Sequence, residues 1–273
     1  MRHFSLNNTS EIICETPFNL KEFYDKHKYV DPLWLGWFIG FTEGDGSLIL
    51  DKSGRITFVI TQKDPSILYH IQEVLGFGNI RFDKEANSFR YVVGDKPSII
   101  KLIYLFNGNF FLKHRINQLK LWISNVPSIN IKHVSNPIKI TLNDSWISGF
   151  TDAEGCFNVN IFKRKASSLG LRVVVRFLLD QKDEDALLFI RNLFGYGSVA
   201  YRSYTDRVYR FTSFSLLGTS NIVKYFNQHP LKTKKSVAFE RWNKIRTMIL
   251  NKEHLSKEGL ETIILLSKLV NEK

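Results

Sequence analysis

Two acidic residues, Asp45 and Glu154, each follow an apolar, glycine-bearing helix pattern and each stand directly before a glycine. The first copy reads Trp37-Phe38-Ile39-Gly40-Phe41-Thr42-Glu43-Gly44-Asp45-Gly46, the second Trp146-Ile147-Ser148-Gly149-Phe150-Thr151-Asp152-Ala153-Glu154-Gly155. A carboxylate at a helix C-terminus meets the partial negative charge of the free carbonyls and costs about 0.3–1 kcal/mol. Repeating so unfavourable a placement implies a use for it. A divalent cation turns the cost into a site, because carboxylate and carbonyl oxygens are the hard ligands that Mg²⁺ and Ca²⁺ take. Two carboxylates held close together repel each other unless they are protonated or bridged by metal. Metal-assisted hydrolysis of a phosphodiester is the chemistry such a pair suits.

Something must bring the two acids together. Gly36, Gly40 and Gly44 recur at helical spacing in the first segment, and Ser145, Gly149 and Ala153 do so in the second. Small residues at i, i+4 and i+8 make a groove along one helix face. They are either ordinary packing positions inside each half or, given the duplication, the seam along which the two helices meet. The second reading puts Asp45 beside Glu154.

The duplication extends downstream. Thr61-Gln62-Lys63-Asp64 and the segment Leu68–Ile80 return as Asp180-Gln181-Lys182-Asp183 and Leu187–Val199, ten residues further apart than the motifs are. That excess predicts a longer loop near Arg164 to Gly170. Two repeats are too few for a solenoid and imply a pseudo-twofold monomer. Each repeat reads as helix, two strands, helix, two strands, helix. Ile56, Phe58 and Ile60 alternate with Arg55, Thr57, Val59 and Thr61, and Phe157, Val159 and Ile161 with Asn158, Asn160 and Phe162. Gly76-x-Gly78 and Gly195-x-Gly197 follow helices, so they punctuate helix ends and do not form a dinucleotide fingerprint. The expected organisation is an extension over 1–32, a first half over 33–123, a linker over 124–143 that contains Pro127 and Pro137, and a second half over 144–273 closing on a capped helix.

The chain has 273 residues, 44% of them hydrophobic and 14% aromatic, so it can fill a sizeable core. No run approaches the ~18 apolar residues of a membrane span, so no membrane partner is expected. A formal charge of +12 favours a polyanion, nucleic acid first. Cys14 and Cys156 are too few for a disulfide scaffold or a zinc module. The acids Glu11, Glu15, Glu22 and Asp25 argue against a transit peptide, and no secretory h-region is present.

The paired segments, Phe38–Gly46 and Ile147–Gly155, resemble the motif of the LAGLIDADG homing endonucleases, with Glu43 and Gly44 as departures from the usual residues. The resemblance covers about residues 33 to 270. It implies an α+β fold of two pseudo-symmetric αββαββα repeats, a saddle whose antiparallel sheets form a DNA face. It assigns Asp45 and Glu154 as catalytic metal ligands, with the Gly44 and Ala153 carbonyls as auxiliaries and Mg²⁺ as the ion, for which Ca²⁺ or Mn²⁺ could substitute. Gln62 and Gln181 resemble the polar residue beside the site, although a helix-capping role fits them equally. The expected basic residue is Arg115 in the first half and Lys234 in the second, with Lys113 and Lys232 as alternatives.

On the outward strand faces the resemblance makes Ser47, Asp51, Arg55, Thr57, Asn79, Arg81 and Arg90 base readers, matched by Asn158, Asn160, Arg164, Arg172, Arg176, Arg202 and Arg210. Lys52, Lys84, Lys163 and Arg207 at strand turns would touch phosphates. The implied activity is a double-strand break in a long asymmetric DNA site, leaving short 3′ overhangs. An RNA-binding intron maturase with intron RNA as partner is the alternative, and a catalytically silent DNA-binding regulator is a third reading. Retention of both acids favours cleavage. Family habit implies a mitochondrial or chloroplast location.

Overall fold

The computed structural model describes residues 16–126, 130–202 and 207–271. Residues 1–15, and with them Cys14, and Pro127 in the expected linker lie outside the described residues. After a short helix α1 (Lys21–Tyr24), the first half runs α2 (Pro32–Asp45), β1 (Gly46–Leu50), β2 (Ile56–Gln62), α3 (Ser66–Leu75), β3 (Asn79–Asp83), β4 (Ser88–Val93), α4 (Lys96–Phe106) and α5 (Lys113–Ser124). The second half repeats it as α6 (Trp146–Glu154), β5 (Gly155–Lys163), β6 (Leu171–Gln181), α7 (Glu184–Phe194), β7 (Ser198–Tyr201), β8 (Tyr209–Ser213), α8 (Leu216–Gln228) and α9 (Lys235–Leu250). A final helix, α10 (Lys257–Leu269), is capped by Ser256, whose hydroxyl accepts from Gly259 N.

The sheets are antiparallel and equivalent, ordered β1-β2-β4-β3 and β5-β6-β8-β7. Each repeat thus carries the expected α+β order, plus a second closing helix (α5 or α9) beyond it. Strand alternation holds: Ile56, Phe58 and Ile60 are buried while Arg55 and Thr61 are exposed. Gly76 and Gly195 end their helices at φ of 71° and 75°, the left-handed conformation that glycine adopts without penalty.

The ten extra residues of the second half are not chiefly a loop. β5 has nine residues against five in β1, and β6 has eleven against seven in β2. Only two of the ten fall in the connection at 164–170. Each added pair of strand positions keeps the inside–outside parity, so lengthening the hairpin preserves the alternation. The expectation of a long loop is corrected to a longer hairpin.

Residues 16–31, expected to stand apart from the repeat, are partly core. Phe18, Leu20, Phe23 and Val30 are buried, and Asn19 exchanges backbone-to-amide hydrogen bonds with Asn109. No helix among the described residues is long and apolar enough to cross a membrane.

Candidate active site

α2 and α6 meet along their glycine faces. A Cβ at Gly40 would overlap the Trp146 carbonyl oxygen, and one at Gly149 the Trp37 carbonyl oxygen. A Cβ at Gly44 would overlap that of Ala153 and lie 3.2 Å from the Glu154 side chain. Backbones this close leave no room for a larger side chain at either middle position. The pairing is reciprocal. Trp37 Nε1 in α2 donates to Asp152 of α6 at 2.8 Å, and Trp146 Nε1 in α6 donates to Glu43 of α2 at 2.6 Å. Trp37 stacks on Phe41, and Trp146 on Phe150.

The inner acids, Glu43 and Asp152, do structural work. Glu43 accepts from Phe111 N at 2.9 Å and Leu112 N at 2.7 Å, just ahead of α5. Asp152 accepts from Lys232 N at 2.7 Å and from Thr233 N at 3.2 Å, just ahead of α9. Each acid therefore ties its own helix, the partner helix's tryptophan and a closing helix together. Burial pushes the Glu43 carboxyl up to about 7, and its N–H donors and Arg115 oppose that rise. Replacing Glu43 with alanine strands three donors in the interior and is expected to cost on the order of 3–5 kcal/mol. Urea unfolding of Glu43→Ala and of Asp152→Ala checks this. A midpoint equal to wild type in both would show that these bonds contribute little.

The last motif residues emerge at one place because each helix runs into its strand without a loop. Gly46 and Gly155 have extended backbone, and a Cβ on either would press on the carbonyl oxygen of Thr42 or Thr151. Asp45 and Glu154 are both largely buried there. Burial first, and the Asp45 charge second, push Glu154 up to about 7. Burial also raises Asp45, against a hydrogen bond from Gln62 Nε2 at 2.5 Å.

A buried arginine and a half-buried lysine flank the pair. Arg115 donates from Nε to the Glu43 carbonyl at 3.0 Å and from Nη2 to the Gly44 carbonyl at 3.3 Å. Its counterpart is Lys235, whose Nζ donates to the Thr151 and Ala153 carbonyls at 3.1 and 2.8 Å. Burial lowers the Lys235 ammonium, and Asp152, Asp45 and Glu154 hold it up. Lys235 is one residue from the position the repeat suggested. Lys234 instead is exposed and pairs with Asp64 at 3.0 Å across the two halves, as Lys113 does with Asp185 at 3.2 Å. The equivalence of Arg115 with Lys234 is thus corrected to Lys235. The spacing from the acid-bound backbone to the cation is one residue shorter before α9 than before α5: Arg115 follows the acid-bound Leu112 by three positions, Lys235 follows Thr233 by two. Lys232 lends its backbone N–H to Asp152, and its ammonium sits 5.9 Å from the Trp37 ring.

The glutamines are not equivalent. Gln62 reaches Asp45, whereas the Gln181 side-chain oxygen accepts from its neighbour Lys182 N at 2.7 Å, and the cap of α7 is Asp183. The Gly44 and Ala153 carbonyls, expected as auxiliary ligands, each already accept from a cation. An open cleft of about 940 Å³ leads to Asp45, lined by Gln62, Asp64, Lys232 and Lys235 among others.

On the outer faces, Ser47, Thr57, Asn79, Arg81 and Arg90 share the side of the first sheet opposite its core, with Arg55 at its margin. Arg90 pairs with Asp83 at 2.7 Å. Asp51 is turned away from this role, since its carboxylate accepts from Ser53 N, Ser53 Oγ and Arg55 N and organises the hairpin turn. In the second sheet Arg176 donates twice to Asn158 Oδ1, at 2.9 and 2.7 Å, and Arg172 lies 6.0 Å from the Phe162 ring. Asn160 faces the same side, Arg164 lies in the β5–β6 turn, and Arg202 and Arg210 both bind Asp180. Lys52, Lys84, Lys163 and Arg207 are exposed at the turns.

Two like halves in one chain, joined through glycine-faced helices that bring two acids beneath paired antiparallel sheets, define a pseudo-dimeric two-repeat saddle. Residues 38–126 and 147–246 match the LAGLIDADG endonuclease family, and the chain belongs to it. It is 39% identical over 267 residues to the probable intron-encoded endonuclease 4 of Neurospora crassa, which covers 95% of this chain and 46% of that protein. It is 26% identical over 231 residues to an uncharacterized cox1 intron-2 protein of Schizosaccharomyces pombe, covering 82% of this chain and 68% of that one. The chain therefore spans about half to two thirds of the length of these curated relatives. The crystal structure of the LAGLIDADG meganuclease I-AabMI bound to uncleaved DNA superposes with a TM-score of 0.72 at 25% identity, covering 89% of this chain and 100% of that one.

Proposed function

We propose that this chain is a site-specific homing endonuclease that breaks both strands of a long asymmetric DNA site by metal-dependent phosphodiester hydrolysis. The observation that carries the reading is the convergence of Asp45 and Glu154 at the ends of the α2–α6 seam, flanked by Arg115 and Lys235. The I-AabMI structure, bound to uncleaved DNA, supports duplex DNA as the partner.

The donor set fits a divalent cation. Two carboxylates forced together repel, and among the described residues no cluster of three Asp, Glu, His or Cys forms a closed cage. Few carboxylates in an open setting suit Mg²⁺, which keeps waters and shares phosphate oxygens. Asp45 and Glu154 would hold it, with Gly44 and Ala153 carbonyls in reserve through their second lone pairs. Bound there, a divalent cation would supply positive charge for the attacking and leaving oxygens of an in-line displacement.

The chain's own residues do the rest. Gln62 orients Asp45, while Arg115 and Lys235 hold the helix-end carbonyls and place positive charge beside the position of the scissile phosphates. One acid would serve each strand. The strand faces bearing Thr57, Arg81, Asn160 and Arg176 lie along the major groove, and the turn lysines rest on phosphates. The name of the fission-yeast relative, from a cox1 intron, supports a mitochondrial setting.

Incubation of the protein and Mg²⁺ with duplexes spanning candidate intron-insertion sites tests the proposal. A specific double-strand cut, abolished by chelator, is expected. Intron RNA splicing without any DNA cut would favour the maturase reading instead.

A further inference from the structure

The two sheets differ in the strand row next to the paired acids. In the second sheet the row is Asp180, Arg210, Ala200, and in the first the equivalent row is Thr61, Arg90, Arg81. Asp180 follows Leu179, which pairs with Gly155, so it lies beside the end of α6 and Glu154. Arg210 lays its Nε and Nη2 along the two Asp180 oxygens at 2.6 and 2.7 Å, and Arg202 Nη1 adds a third bond at 2.6 Å. Asp180 is a quarter exposed and Arg210 a third, so the cluster opens onto the outer face.

This arrangement is not the usual solvated ion pair. An acid on a surface meant for phosphates is repelled by them, but here two guanidiniums outweigh one carboxylate. A bidentate grip through Nε and Nη2 consumes one edge of the guanidinium and leaves its Nη1–Nη2 end aimed along the same plane. Two parallel donors of that spacing match guanine O6 and N7 in the major groove. A guanidinium already fixed in place loses less freedom on binding. The first half cannot copy this, because Thr61 has no carboxylate and Arg90 is drawn outward to Asp83.

We infer that Arg210, clamped by Asp180 with Arg202 as second support, reads a guanine at a base pair beside the second motif acid, a requirement absent from the first half-site. The inference rests on the DNA-binding reading above. It makes Asp180 a positioning residue for specificity.

Selection of duplexes from a randomised pool by the full chain, in Ca²⁺, tests it with no cutting needed. The wild type is expected to enrich an asymmetric site with a guanine near its middle, on one side. Asp180→Asn and Arg210→Lys, the latter keeping the charge but losing the fork, should each relax that base pair by roughly ten- to a hundred-fold. The rest of the consensus should persist, and melting temperatures of both variants should match wild type to show intact folding. A consensus without that guanine, or one that both variants retain, would overturn the inference alone. A pool with no consensus of any kind would remove the DNA-binding reading and the inference with it.

Discussion

Gly149→Val is expected to yield a protein without native tertiary structure. The new Cβ would overlap the Trp37 carbonyl oxygen and sit 2.7 Å from both Trp37 C and Phe41 N. All three are backbone atoms of α2, so no rotamer change relieves the clash and the helices must separate. Separation would pull Trp37 from Asp152 and Trp146 from Glu43, leaving buried acids short of donors. Together these losses should exceed about 4–5 kcal/mol, the exceptional end of single substitutions and a large share of a domain's typical stability. Near-ultraviolet circular dichroism and urea unfolding would register the collapse. Gly195→Ala is the contrast: its φ of 75° carries a backbone penalty, but nothing lies within 4 Å, so the cost should be about 1 kcal/mol. If Gly149→Val melted like Gly195→Ala, the helix seam would not be what joins the halves.

That seam was legible in the sequence because close approach leaves a compositional trace: Gly40 and Gly149 recur at matched positions, and nothing else satisfies backbone-to-backbone contact. The strands were legible for a similar reason, since parity forces Phe58 inward and Thr57 outward whatever the wider context. What the sequence hid were relations that depend on how loops are threaded. Lys235 stands where repeat-matching expected Lys234, because a lysine is equally plausible at either position and only the turn ahead of α9 decides which one enters the interior. The roles of the inner acids Glu43 and Asp152 are equally hidden, because each gathers donors from residues far away in sequence. A matching tryptophan at the head of each motif was the available signal, because a buried indole N–H needs an acceptor. The grip of Asp180 on Arg210 has no trace in the sequence, because the two residues meet only once β6 and β8 are paired.

Glu154→Gln should separate chemistry from stability in opposite directions. The substitution removes one of two candidate metal ligands, and cleavage of a cognate duplex should fall by at least about a hundred-fold, the order lost when one transition-state charge contact is deleted. Affinity for the duplex should stay close to wild type, because the sheet faces proposed to read bases are untouched. Stability in chelator should rise. Burial and the Asp45 charge hold the Glu154 carboxyl up at about 7, above its ordinary 4.5, so the native state binds its proton more tightly than the unfolded chain does. The metal-free wild type therefore loses stability as pH rises from the unfolded value through about 7, whereas a glutamine pays no such cost. The variant's advantage should be absent below the ordinary carboxylate range, grow between pH 5 and 7, and level off above that at on the order of 2 kcal/mol. Urea titrations of both proteins at pH 4.5 and 8 in chelator read this difference directly. Equal stability at pH 8 would mean that neither burial nor the Asp45 charge strains Glu154, and the case for a cation between the two acids would lose its electrostatic basis. Undiminished cleavage by the variant would remove Glu154 from the chemistry altogether.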